Sequence, residues 1–313
     1  MIVLWIVLYV LAALCVASIV ISWKISGMLL HPKIWNYSTV VDEEEKRGSF
    51  TRAWFESKCH LEEFSLRSNY GYDLHCALWP RGEGVSFADG RRRVAVIVHG
   101  YTYCLLGSVK YARIFHDLGF DCVLYDHRNH GLSDKAPTTM GYYESRDLSL
   151  VCSWALERFG SDALIGTHGE SMGAATVMMH APQYPKLSFV IEDCGYSSLA
   201  AQVHHNIRQT YHLPSVPFLA LSNLFFKLRG GVFFRQVSLV DAVKQCPGLP
   251  MLFIHGEDDD FVPYEMVHIN FAAKPEPKEI RTFPGAAHAK SLSSDPEGYR
   301  ACVTSFLEHS GVI

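Results

Sequence analysis

Hydrophobic and polar positions divide the chain into three regimes. From Met1 to Trp23 only Ser18 and Ser22 interrupt an apolar run, and no residue is charged. As a helix this run is about 35 Å long, enough to cross a hydrocarbon core of about 30 Å. A cleaved secretory signal has a basic start and a shorter apolar core, and neither is present, so residues 1–23 read as a retained single-pass membrane anchor. Lys24 and Lys33 follow on the C-terminal side. By the positive-inside rule, these two residues cast a weak vote for a cytoplasmic domain. Residues 24–58, with the acidic run Asp42 to Glu45, show no sustained period and read as a stalk.

In the second regime, His60 to Arg67 and Tyr72 to Trp79 alternate around Ser68, Asn69, Tyr70 and Gly71. That pattern predicts a β-hairpin at a sheet edge. The third regime replaces alternation with short apolar runs: Arg93 to Val98, Cys122 to Tyr125, Ala163 to Gly166, Phe189 to Ile191, Met251 to Ile254 and, more weakly, Glu279 to Phe283. Helix-like segments near 108–118, 143–158, 172–182, 264–272 and 297–308 separate or follow them. Strands buried on both faces and joined by crossover helices look like this, so an α/β domain with a mostly parallel sheet is expected over residues 59–313. Between Gly195 and Gln245 the rhythm lengthens into a helical, aromatic insert with Tyr196, Tyr211, Phe218, Phe225, Phe226, Phe233 and Phe234. It is read as a cap over the carboxyl ends of the strands, where open α/β sheets bind ligands.

Composition narrows the function classes. Of 313 residues, 49% are hydrophobic and 19% charged, and the anchor accounts for much of the apolar excess. The formal charge of −4 and the lack of a basic stretch argue against a nucleic-acid partner. Nine cysteines stand singly with no Cys-x-x-Cys pair, so neither a zinc site nor a redox dithiol is implied, and the thiols read as reduced packing residues.

The chemistry concentrates in Gly169-Glu170-Ser171-Met172-Gly173, a Gly-x-Ser-x-Gly string lying directly after an apolar run and before a helical stretch. That is the context of a nucleophile elbow, whose turn is too tight for side chains two residues either side of the serine. A serine hydroxyl needs a base and a group to orient that base. Chain order places an acid behind the next-to-last strand and a histidine behind the last. There stand His255-Gly256-Glu257-Asp258-Asp259-Asp260 and Gly285-Ala286-Ala287-His288. The Met172 amide, next after the nucleophile, is a candidate oxyanion donor.

With these residues the chain resembles the α/β-hydrolase superfamily over about residues 60–310, closest to its serine-aminopeptidase and monoacylglycerol-lipase-like branch. The resemblance implies an α/β-hydrolase fold. It selects Asp259 from the three consecutive aspartates, because the family reads His-Gly-x-x-Asp-x-x-Val-Pro there, and leaves Asp193 as the runner-up acid. His99-Gly100-Tyr101-Thr102 resembles the family's His-Gly-x loop and points to the Tyr101 amide as second oxyanion donor, with Gly100 permitting close approach and His99 as a loop support. Asp126 to Ser133 resembles the family's Asp-x-Arg-Gly-His-Gly-x-Ser turn, with Asn129 in place of glycine, and reads as a hydrogen-bonded structural turn rather than a metal site. His204, His205, Arg208 and Cys104 are expected to be solvated or packing residues.

The resulting expectation is a membrane-anchored serine hydrolase acting on a small-molecule ester with a hydrophobic acyl or aryl group, with catalytic Ser171, Asp259 and His288 and no cofactor or metal. An aminopeptidase-like amidase, a thioesterase or an acyltransferase on the same triad are the alternatives, and a non-catalytic binding protein on the same scaffold is a further one.

Overall fold

The computed structural model describes residues 1–313. Eight strands form one sheet: β1 (Glu62–Arg67), β2 (Asp73–Trp79), β3 (Arg93–Val98), β4 (Asp121–Tyr125), β5 (Leu164–Glu170), β6 (Leu187–Asp193), β7 (Met251–Gly256) and β8 (Lys278–Phe283). Their order is β1-β2-β4-β3-β5-β6-β7-β8. β1 and β2 pair as an antiparallel hairpin, β2 runs antiparallel to β4, and every later pair is parallel. The alternating stretches thus form the edge and the continuous apolar runs the interior, where β3, β4 and β7 are buried at every position. This is an α/β-hydrolase fold.

The helices are α1 (Ile2–Leu30), α2 (Tyr37–Lys46), α3 (Arg52–Lys58), α4 (Val109–Asp117), α5 (Glu144–Phe159), α6 (Met172–His180), α7 (Leu199–Gln209), α8 (Ser215–Gly230), α9 (Leu239–Val243), α10 (Glu265–Ala273), α11 (Ser291–Ser294) and α12 (Pro296–His309). Two buried clusters cover the two faces of the sheet. One combines residues of α5, α6, α9 and α10 with those of α7 and α8, and the other combines α4 and α12 with Val40, Val41 and Phe50 of the N-terminal segment. Burying both faces is what gives the inner strands their continuous apolar character. Gly166 shows how tightly β5 meets β6, since a Cβ there would lie 2.0 Å from the Phe189 ring.

Residues 24–58, expected as a stalk, fold onto the domain. The Asn36 side chain accepts from the Thr39 amide at the start of α2, at 2.8 Å. Tyr37 donates to Asp126 Oδ2 at 2.5 Å, and buried Glu44 lies 3.3 Å from Lys110 Nζ. A ten-residue helix interrupted by acidic residues carries too few apolar repeats for a period to show in sequence. Helix α1 likewise continues past Trp23 to Leu30: its first part is exposed and long and apolar enough to cross a membrane, whereas Ser22, Ile25, Ser26 and Leu30 are buried. They pack on α8, the middle helix of the cap. A Cβ added at Gly230 would meet Leu30 Cδ2 at 2.4 Å, so small residues set this helix spacing.

The Gly166 contact yields a test of the packing. Gly166→Ala should cost about 1–3 kcal/mol through overpacking. A fall in Tm of several degrees by calorimetry is expected, while an unchanged Tm would show that Phe189 can yield without cost.

Candidate active site

Ser171 stands between β5 and α6 with φ 57 and ψ −114, a sparsely populated conformation for a residue with a side chain. Close backbone approaches hold it there. A Cβ at Gly169 would fall 2.2 Å from the Gly173 carbonyl oxygen, and one at Gly173 would fall 2.2 Å from that of Val98. Both glycines are therefore sterically required, which accounts for their spacing about the serine. The second contact also brings the end of β3 against the start of α6.

His288, in the loop after β8, lies with Nε2 3.0 Å from Ser171 Oγ and Nδ1 2.7 Å from Asp259 Oδ2. The carboxylate accepts only, so Nδ1 carries the proton and Nε2 presents its lone pair to the serine hydroxyl. Asp259 is buried, whereas Asp258 and Asp260 on either side are exposed. Its Oδ1 accepts from the amides of Phe261 at 3.0 Å and Val262 at 2.8 Å, and His255 Nε2 lies 3.2 Å from Oδ2. Burial alone would raise its pKa, but hydrogen bonds from His255, His288 and the Val262 amide prevail and hold it at about 2. His255, which the sequence reading overlooked, thus helps keep the carboxylate ionised.

Asp193 points elsewhere. It accepts from Tyr299 at 3.0 Å, and Ser291 Oγ lies 3.4 Å from its other oxygen. Burial, with the nearby Glu170 charge, pushes its pKa up to about 6. Beneath the serine, Glu170 accepts from Tyr111 at 2.5 Å and pairs with Lys110 at 2.9 Å. Burial opposes its ionisation, yet the Lys110 ammonium and the Tyr111 hydroxyl hold its pKa below the usual carboxylate value. No local pattern announces this network, because its members come from different elements and Lys110 reads as an ordinary helix-surface lysine.

The loop after β3 runs beside the elbow. A Cβ at Gly100 would stand 3.5 Å from that of Ser171, ordinary contact, so this glycine is not sterically compelled as the sequence suggested. No backbone acceptor pairs with the Tyr101 amide, and the Met172 amide belongs to the first turn of α6, whose amides have no partner within the helix. His99 Nε2 accepts from the His127 amide at 3.0 Å, which leaves Nδ1 to donate to the Gly100 carbonyl at 2.7 Å. This pairing fixes the loop. Asp126 accepts from the Leu105 and Leu132 amides at 2.7 and 2.9 Å, so its turn is braced by hydrogen bonds. His205 donates to the Asp260 carbonyl at 2.8 Å and does not line the cavity, and Cys104 is buried in the core.

Ser171, Met172 and Tyr101 open onto a cavity of about 470 Å³. Its walls are mainly aliphatic, from Met140, Leu199, Val203 and Ile207, with Tyr196, Tyr211 and Phe261 as the aromatic members besides Tyr101. The other aromatics of the insert do not line it: Phe218, Phe226 and Phe234 are buried in the packing of the cap, and Phe225 meets Trp23 of α1 edge-on at 5.4 Å between centroids. They face inward because the cap needs a core of its own and a seat for α1. Cys194, Asp259 and His288 bring possible metal donors within 4.8 Å of one another. The donor set does not suit a metal, since burial pushes the Cys194 thiol well up and Asp259 and His288 are bonded to each other.

Comparison with known proteins matches this arrangement to one family. A family model described as the alpha/beta hydrolase fold matches residues 95–191. YqkD of Bacillus subtilis, an uncharacterized protein, is 34% identical over 97% of both chains. Rv2307c of Mycobacterium tuberculosis, also uncharacterized, is 29% identical over 58% of this chain and 56% of its own. Among solved structures, the Pyrococcus furiosus esterase Pf2001 superposes with a TM-score of 0.64 at 19% identity, covering 82% of this chain and 93% of its own. The α/β hydrolase GrgF from Penicillium gives 0.63 at 17% identity, covering 81% and 100%. Fold, elbow context and full-length relationship converge, and the chain belongs to the α/β-hydrolase superfamily.

Proposed function

We propose that this protein is a serine hydrolase that cleaves carboxylic esters with a hydrophobic acyl group, held at a membrane by α1. The observation that carries the reading is the hydrogen-bonded series Ser171, His288, Asp259 opening onto an apolar cavity. Ser171 Oγ attacks the ester carbonyl carbon while its proton passes to His288 Nε2. The C=O electrons move to oxygen, and the amides of Tyr101 and Met172 receive that oxyanion. Collapse breaks the bond to the alcohol, which leaves with the proton from His288. Water, activated by the same imidazole, then frees the acid and restores Ser171. Asp259 holds the imidazole in the working tautomer and stabilises the imidazolium.

An ester is favoured over a peptide because the cavity lining contains no carboxylate to receive an α-ammonium group. One hydrolase domain covers residues 59–313 with its cap at about 195–245, and the exposed part of α1 is the membrane span. The cytoplasmic placement rests on the lysines that follow that span.

Two measurements test the nucleophile and the ester preference. A fluorophosphonate probe should label the native chain and not Ser171→Ala, and equal labelling would remove Ser171 as nucleophile. p-Nitrophenyl esters should turn over where aminoacyl naphthylamides do not, and the reverse result would favour the amidase reading.

The two candidate acids separate by substitution. Asp259→Asn should lower kcat by about 10⁴ through the wrong imidazole tautomer, whereas Asp193→Asn should stay within about tenfold of native by the same assay. Asp193 also carries a pH signature. Its folded pKa of about 6 exceeds the unfolded value of about 3.9, so the folded state binds more protons between these values and stability falls as pH rises from about 4 to about 6. Asp193→Asn should remove that component from the stability profile, and an unchanged profile would show that Asp193 ionises freely in the fold.

A further inference from the structure

Helix α1 does more than reach the bilayer. Its last two turns form part of the cavity that holds Ser171, where Ile25, Met28 and Leu29 face Val203, Ile207 and Tyr211 of the cap region. Three hydrogen bonds tie this end of the helix and the chain just after it to loops of the site. Tyr101, whose amide is the proposed oxyanion donor, uses its hydroxyl to donate to the Met28 carbonyl. The Trp35 amide donates to Thr102 at 2.9 Å, and the Thr138 amide donates to Leu30 at 2.9 Å. On the opposite side α1 is seated on α8, with Ser22 against Phe218 and Ser222, and Gly230 against Leu30. The wall is therefore fixed on both sides rather than laid loosely over the opening.

The level of the membrane surface along α1 is marked by its own residues. Trp23 is half-exposed, Lys24 is exposed, and the Arg229 guanidinium lies 4.2 Å from the Trp23 ring while donating to the Trp23 carbonyl and Ser26 Oγ at 2.9 Å each. Tryptophan and basic side chains of this kind concentrate where hydrocarbon meets headgroups. Met28 follows Lys24 by four residues, about 6 Å of helix rise. It is 45% exposed, and Tyr211 and Phe261, which line the same cavity, are 41% and 46% exposed. The cavity mouth thus has an apolar rim about one helical turn from the bilayer surface.

We propose that α1 is a wall of the acyl-binding pocket, that Ile25 and Leu29 set which acyl lengths are accepted, and that the substrate class is a long single-chain acyl amphiphile taken from the membrane. The cavity has the size of a site for one such ligand rather than two chains. Apolar burial along the wall contributes binding in proportion to chain length. This rests on the serine-hydrolase reading and adds to it the substrate class and the residues that select it.

The test uses the full-length chain in nonionic detergent micelles and compares kcat/KM for p-nitrophenyl laurate with that for p-nitrophenyl butyrate. Leu29→Trp is expected to lower the laurate-to-butyrate ratio at least tenfold. Leu29→Ala is expected to move the optimum of an ester series toward longer chains. A ratio within twofold of native and an unmoved optimum overturn the proposal, as does an equal fall for both esters. Should Leu29→Trp lack a native thermal transition, the Leu29→Ala profile decides alone. Ester hydrolysis that survives Ser171→Ala would instead overturn the serine-hydrolase reading, so the two failures are told apart.

Discussion

The close contact of Gly173 with the end of β3 is the constraint on which the rest of the site depends. It brings the first turn of α6 within a Cβ radius of the Val98 carbonyl. The loops that follow β3 and β5 must then lie side by side, although the strands themselves meet only as hydrogen-bonded neighbours. The same contact, with that between Gly169 and Gly173, leaves Ser171 in a conformation an isolated chain would avoid. The strain is held by the surrounding packing: β5 lies between β3 and β6, and α6 is almost wholly buried against β5, β6 and α5. A rigid parallel sheet fixes the two loops, and the loops carry Ser171 and the neighbouring Tyr101 and Met172 amides.

Charge is arranged around that turn so that each group has one role. Asp259 is buried yet held ionised by donors from three directions. Asp193, equally buried but facing hydroxyls, is pushed toward its neutral form. Glu170 remains charged because Lys110 is buried with it, and Lys110 in turn lies within reach of Glu44 from the N-terminal segment. The segment linking α1 to the sheet is consequently part of the support beneath the serine. Removing one partner of such a buried pair typically costs 3–5 kcal/mol, because the other charge is left uncompensated.

Much of this was legible along the chain because it is local. Gly169 to Gly173 declares a turn by steric need. Strands β3 and β4 show as apolar runs because both of their faces are covered, and the alternation of β1 and β2 shows an edge. Chain order pointed to acidic residues and a histidine after the last two strands, and the structure brings Asp259 and His288 within hydrogen-bond distance of each other and of Ser171. What did not show depends on tertiary partners. Nothing in the apolar run of α1 separates its exposed residues from those that meet α8, since Ser22 and Ser26 look like interruptions rather than a packing seam. The aromatic cap suggested an aromatic cavity, but Phe218, Phe226 and Phe234 serve the cap's own core. Lys110, Glu44 and Glu170 are far apart in sequence, and only the fold makes them neighbours.

In the proposed reaction Ser171 takes the acyl group of an ester onto its own oxygen. Rapid mixing of the full-length chain with a p-nitrophenyl ester, quenched in acid and followed by peptide mass mapping, tests this directly. Acylation of Ser171 should give a burst of about one p-nitrophenolate per chain and an acyl mass increment on the peptide bearing Ser171. An acyl group found on another residue, or turnover with neither burst nor adduct in single-turnover conditions, would contradict it.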